Sequence, residues 1–309
     1  VSITAGSTIS TDTGVILDQG GNAIAVPSSL IPQLDGPDIR VFYAKSMLID
    51  DVQIVGTDPL AFVASGPLVV HGTLDVGAHT LGAGAGALEK GDSIGIYRQV
   101  GSLGNKGGGG NGTDGGSYLT GSLSVAGKTY SGPLLVGGGR GGDASSGGGG
   151  GGGAVQLVSL DSISIAGAVR ASGGGGGAAP GGAGGAGGTI VIETPTLGIS
   201  GVVAANGGAG SECGMSAPDG ALAATPAIGL GCDVNTGTGG IQHIHGGDGG
   251  TGVMLPTAGA GAMSPTFSAG TASGGAAGRI VLRDRDGMFT APVGVVVSGV
   301  TTVGMLVIQ

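Results

Sequence analysis

The chain has 309 residues, 77 of them glycine, with no tryptophan and 3% aromatic residues, which excludes an ordinary aromatic-rich core. A net charge of −9 with only eleven Lys and Arg leaves no basic footprint for nucleic acid. Mean hydropathy of +0.40 argues against a disordered chain, and 13 prolines without a Gly-X-Y period exclude collagen.

Val1-Ser-Ile-Thr reads directly as strand with no initiator Met before it, which fits a mature chain freed of a signal peptide. From Val1 to Val26 apolar and small polar residues alternate, as short strands between Gly and Asp turns require. Pro27, Pro32 and Pro37 then interrupt the chain.

A repeat begins at Ile39. Residues 42–55 can be laid on 62–75 at a shift of about 20 with a drift of one. The second copy matches a third without gaps: Phe62 falls on Leu157, Val70 on Ile165, Gly72 on Gly167 and Leu74 on Val169. In a fourth copy, Thr189 to Ala204, Ile199 takes the place of Ile165 and Gly201 that of Gly167; a fifth runs from Arg279 to Val300. Each copy is strand, turn, strand, Gly, strand. Units of this size cannot bury their faces alone, and three β-branched strands per unit predict a parallel β-helix, a solenoid of stacked coils. The leucine-rich repeat spacing is absent, and propeller blades would be longer.

Glycine-rich stretches interrupt the repeat after Leu81 until Ala154, from Ser172 to Gly188 and from Asn206 to Gly278. They contain the runs Gly147–Gly153, Gly173–Gly177 and Gly181–Gly188. All leave and re-enter at one point of the repeat, so stacking should bring their roots together. That predicts a polyglycine II bundle with lateral hydrogen bonds rather than flexible linkers. The expected organisation is N-terminal strands and coils over 1–81, coils near 154–172 and 189–206 with three glycine-rich excursions over 82–278, and a terminal coil and strand over 279–309.

The pieces Gly151-Gly-Gly-Ala-Val-Gln-Leu-Val158 and Ile165-Ala-Gly-Ala-Val-Arg-Ala-Ser-Gly-Gly174 recur as Gly187-Gly-Thr-Ile-Val-Ile192 and Ile199-Ser-Gly-Val-Val-Ala-Ala-Asn-Gly-Gly208. On them, Leu60 to Val300 resembles secreted glycine-rich bacterial surface proteins with right-handed parallel β-helix coils and polyglycine II inserts. The glycine bundle is similar in principle to those of springtail antifreeze proteins and phage tail-fibre adhesins. Unlike the former, this chain has no sustained three-residue repeat.

Chemistry-bearing residues are few. Cys213 and Cys232 share a Gly-rich loop outside any CxxC context and read as a disulfide pair of an oxidising, extracellular compartment, with two free thiols as the alternative. His243, His245 and Asp248 are the candidate metal ligands; exposed loop histidines bonded to backbone are the plainer reading. Gly246-Gly-Asp-Gly-Gly250 occurs once, whereas calcium-binding Gly-Asp repeats come in tandem. Asp50, Asp51, Asp75, Arg170 and Glu193 fall in the repeats at different positions, so no polar column of an enzyme groove is expected. No cofactor motif is found.

The uncharged tail from Ala291 to Gln309 approaches the length of a membrane span, but its β-branched residues, Ser, Thr and Gly fit a final coil and strand. Neither end carries charge or proline guards. Val1, Ile3 and Ile9 at one end and Val303, Leu306, Val307 and Ile308 at the other are therefore candidates for pairing between copies. The expected function is a non-catalytic extracellular structural protein that polymerises head-to-tail into a filament or surface fibre. It would contact itself and the cell surface or extracellular matrix. A surface or tail-fibre-type adhesin binding a cell-surface or glycan ligand comes second, and a polysaccharide-acting β-helix enzyme third.

Overall fold

The computed structural model describes residues 1–79, 81–88, 108–116, 119–120, 123–124, 126–142, 147–178, 182–211, 216–235, 241–245, 248–257 and 272–306; for 119–124, 231–235 and 241–245 it describes the backbone only. Among these residues the chain is all-β, and most strand pairs are parallel.

Five short strands come first: β1 (Ser2–Ile3), β2 (Ser7–Ser10), β3 (Val15–Leu17), β4 (Ala23–Ile24) and β5 (Ser28–Ile31). The chain then passes repeatedly through three sheets. One pass is β6 (Ile39–Ala44), β7 (Met47–Ile49) and β8 (Val52–Val55), and the next is β9 (Leu60–Ala64), β10 (Leu68–Val70) and β11 (Thr73–Asp75). After β12 (Leu119–Thr120) and β13 (Leu123–Ser124), an antiparallel pair, come β14 (Ala154–Ser159), β15 (Ser162–Ile165) and β16 (Ala168–Arg170). Then follow β17 (Thr189–Glu193), β18 (Thr196–Ile199) and β19 (Val202–Ala204). Beyond the antiparallel pair β20 (Gly231–Asn235) and β21 (Ile241–His245), β22 (Arg279–Asp284), β23 (Val296–Ser298) and β24 (Val300–Met305) complete the order.

First strands of successive passes pair in the order β6-β9-β14-β17-β22-β24, middle strands in the order β7-β10-β15-β18, and third strands in the order β8-β11-β16-β19-β23. The register is the one the repeat alignment predicts: Phe62 pairs with Leu157, Val70 with Ile165, Leu74 with Val169 and Ile165 with Ile199. Alternation turns one side of each strand inward, so like residues stack in columns. Phe42, Phe62, Leu157, Ile192 and Leu282 form one, and Ile3, Ile49, Val70, Ile165 and Ile199 another, and all are buried. Each such side chain contributes about 1.5–3 kcal/mol by leaving water. The Phe42 and Phe62 rings lie 5.8 Å apart. The tail expected as a final coil and strand forms β23 and β24, with 307–309 outside the described residues. Among the described residues no helix is long and apolar enough to cross a membrane.

All three glycine-rich excursions leave the third sheet and return to the first: from β11 to β14, from β16 to β17 and from β19 to β22. Their described parts hydrogen-bond to one another through the backbone. Segment 182–188 lies at the centre. It bonds to 108–110 (Gly109 N–H to Gly184 O), 139–142 (Ala186 N–H to Gly139 O), 147–153 (Gly149 N–H to Ala183 O), 171–177 (Gly185 N–H to Gly174 O), 205–211 (Gly208 N–H to Gly185 O) and 272–278 (Gly184 N–H to Ser273 O). Residues three apart reach the same neighbour: Ala183 and Ala186 accept from Gly149 and Gly152, and Gly184 and Gly187 donate to Ser273 and Ala276. A Cβ on Gly184, Gly185, Gly187 or Gly188 would fall well inside contact distance of a neighbouring carbonyl oxygen. Glycine is used here because backbones approach too closely for any side chain.

The N-terminal end differs from the unguarded edge expected. β3 and β4 continue the third sheet antiparallel beyond β2, and β5 runs antiparallel along β6. Ile3 and Ile9 are fully buried within their own chain, while Val1 remains 43% exposed. Arg40 fastens this cover by donating from Nε to Thr11 O (2.7 Å) and from Nη2 to Asp12 O (2.9 Å).

Candidate functional site

Where the third sheet hands over to the glycine layer, the repeat sets charged residues side by side. Asp75 ends β11 and Arg170 ends β16, and the two are register partners. Arg170 donates from Nη1 to Asp75 Oδ2 at 2.8 Å, and its Nη2 lies 3.4 Å from Gly220 O and 4.0 Å from Asp219 Oδ2. Arg170 is 8% exposed, so its charge is satisfied by these oxygens rather than by water. Asp75 Oδ1 accepts from the Gly77 amide (2.7 Å) and Asp219 Oδ1 from the Gly175 amide (2.8 Å). His79 stands outside this pair, with Nε2 3.5 Å from Asp75 and Nδ1 3.7 Å from Asp219. A groove of about 460 Å³ opens beside it, lined by Val52 to Gly56, Asp75 to Gly77, His79 and Gly82 to Ala85.

Chemically this cluster ties layers together. Both carboxylates accept from backbone amides, and Asp75 also accepts from the Arg170 guanidinium, so the strand ends and the glycine-rich excursions are joined through them. A second charged ladder lies on the first sheet, where Glu193 is the register partner of Arg283, pairs with its Nη1, and accepts from Gln156 Nε2 at 2.6 Å. Arg279 fixes the glycine layer to β22: its guanidinium sits 5.3 Å over the Tyr130 ring and donates to Gly132 O at 3.0 Å.

The repeat residues were expected to fall at unrelated positions, and two of them do not: Asp75 and Arg170 share one. Extending the match of Leu74 with Val169 by one residue would have found the pair. Asp50 and Asp51 serve locally, Asp50 beside His71 Nδ1 (2.8 Å) and Asp51 accepting from the Thr73 amide (2.7 Å).

Among the residues whose side chains are described, no group of three His, Cys, Asp or Glu is placed to hold a metal ion. Asp248 is spent on the Gly229 amide (2.8 Å), while its own amide donates to Thr257 Oγ1 (2.7 Å). His243 and His245 lie on β21, whose backbone alone is described. Cys213 falls outside the described residues and Cys232 lies on β20, so their expected bridge cannot be placed. Of the expected assembly residues, Val303 is 38% exposed on β24, Leu306 follows it half-buried, and Val307 and Ile308 lie outside the described residues. No family model, curated protein or solved structure matches the chain.

Proposed function

We propose that this chain is a non-catalytic extracellular structural protein: a right-handed parallel β-helix flanked by a polyglycine II bundle, whose copies add head-to-tail into a filament. Successive passes through three sheets, in which the strands of neighbouring passes pair in parallel, support the solenoid reading, and parallel connections within a sheet are overwhelmingly right-handed. A central segment with six bonded neighbours and a three-residue bonding period supports polyglycine II, which has three residues per turn and sideways-pointing backbone groups.

The observation that carries the assembly reading is the fate of the first sheet, which ends in β5 on one side and β24 on the other. Neither edge strand holds a charge or proline, the usual guards against pairing. Leu30 (43% exposed), Ile31 (42%) and Met305 (62%) add apolar surface at the two edges. Val300 and Leu306 donate inward to Gly278 and Asp284, and strand alternation therefore turns Val303 toward the open side. Strand addition of β24 to β5 of another copy would satisfy both edges, and a contact that does not close on itself grows a fibre.

Negative-stain microscopy with light scattering of the full chain tests this. Fibres are expected in the parent and short or absent ones in Val303→Pro, which removes an outward N–H while leaving the β22 side intact. Uniform monomers at high concentration would overturn the proposal in favour of a surface-binding monomer. Unchanged fibres in the variant would remove β24 as the joining strand.

A further inference from the structure

The antiparallel register of β20 and β21 sets Asp233 directly opposite His243, and Gly231 directly opposite His245. Residues opposed across an antiparallel pair share a face of the sheet, as do residues two apart along a strand. His243, His245 and Asp233 therefore hold adjacent positions on one face, while the register pair Cys232 and Ile244 belongs to the other. Opposed Cβ positions lie about 4.5–5.5 Å apart, and positions two apart along a strand about 6.5 Å. Zinc-type ions take imidazole and carboxylate donors at about 2.0–2.2 Å, and the register sets residues bearing those groups at neighbouring positions. Gly231, the register partner of His245, brings no competing donor group to that position.

We propose that His243, His245 and Asp233 form a site for a divalent transition-metal ion of the zinc, copper or nickel type. Imidazole donors select these ions, whereas calcium and magnesium take all-oxygen sets. The carboxylate nearest in sequence, Asp248, is committed to the Gly229 amide, and strand pairing supplies Asp233 instead. The site stands on the hairpin alone and is independent of whether copies assemble.

Calorimetric titration of the full, untagged chain with Zn(II) should give one ion per chain. Loss of even an outer hydrogen-bonding partner typically weakens a metal site roughly 10–100-fold, so His243→Ala, His245→Ala and Asp233→Asn should each cost at least about tenfold. His71→Ala should leave affinity unchanged, since it lies on the first passes and not on the hairpin. Affinity that survives His243→Ala or Asp233→Asn, or that disappears with His71→Ala, would overturn the assignment. A variant that loses the hairpin would mimic loss of a ligand, so Cu(II) electron paramagnetic resonance on the parent chain provides a reading without substitution. Superhyperfine structure from two imidazole nitrogens is expected; a spectrum showing none would sink the proposal.

Discussion

Asp75 and Arg170 stand opposite each other on adjacent strands and form a 2.8 Å ion pair in which the guanidinium side chain is 9% exposed. The pair lies at the exit from the third sheet, where two glycine-rich excursions begin, and Arg170 also faces Asp219 and Gly220 of a third. One arginine thus holds three chain segments. Breaking a buried pair by removing one partner costs about 3–5 kcal/mol; Asp75 is 20% exposed and Asp219 remains nearby, so Asp75→Asn should lower stability by about 2–3 kcal/mol. The double change Asp75→Leu with Arg170→Met should cost less than Asp75→Asn alone, because no buried guanidinium is left without its carboxylate. Urea midpoints of the variants measure both; equal midpoints in parent and Asp75→Asn would show that the pair carries no stability.

The strand register was legible because each pass repeats one apolar pattern at nearly constant spacing, as the columns through Phe62 and Val70 show. Three things were not. The antiparallel cover of β3, β4 and β5 lies outside the repeat, in strands of two to four residues whose partners only the fold can choose. Asp233 lies ten positions before His243 in the chain and meets it through hairpin pairing, whereas proximity in sequence points to Asp248. The central place of 182–188 was equally hidden, since a run of glycines carries no mark of which neighbour each amide will find.

That central segment makes a sharp comparison possible. A Cβ at Gly185 would intrude on the Gly150 carbonyl, while Gly198 on β18 has no atom within 4 Å of such a Cβ and needs no left-handed backbone. Overpacking costs typically about 1–3 kcal/mol where neighbours can shift, and here the neighbour is backbone. Gly185→Ala should therefore cost about 3 kcal/mol or more, and Gly198→Ala should be neutral or stabilising by about 0.4–1 kcal/mol. Hydrogen exchange gives a second reading: amides of 182–188 should be among the slowest outside the sheets. Rapid exchange throughout that segment would mean that it behaves as linker.

Cys213 and Cys232 are expected to pair in an extracellular protein. Peptide mapping without reductant should recover the two cysteines in one linked species, and reduction should lower stability by about 3 kcal/mol for a loop of this length. Quantitative labelling of two free thiols in protein recovered from its native compartment would remove the bridge and the main sequence support for that location.

Acid should loosen the glycine layer at Asp114. Its partial burial pushes the carboxyl up, but hydrogen bonds from Thr129 and Lys128 outweigh that and hold it below the ordinary aspartate range. Thr129 donates from its amide (2.6 Å) and its hydroxyl (2.7 Å), and Lys128 Nζ donates at 3.0 Å, so the carboxylate joins 108–116 to 126–130. Because the folded value is the lower one, the charged form stabilises the fold in full above the unfolded value of about 3.9, and that contribution is lost as pH falls through the folded value. The carboxylate is 48% exposed, so salt and water screen the effect and keep it small. Asp114→Asn should be less stable than the parent at neutral pH, and the two should converge as the medium is acidified below the folded value. Urea midpoints measured across that range decide the matter: a gap that persists or widens in acid would show that the Asp114 charge does not fasten the two segments.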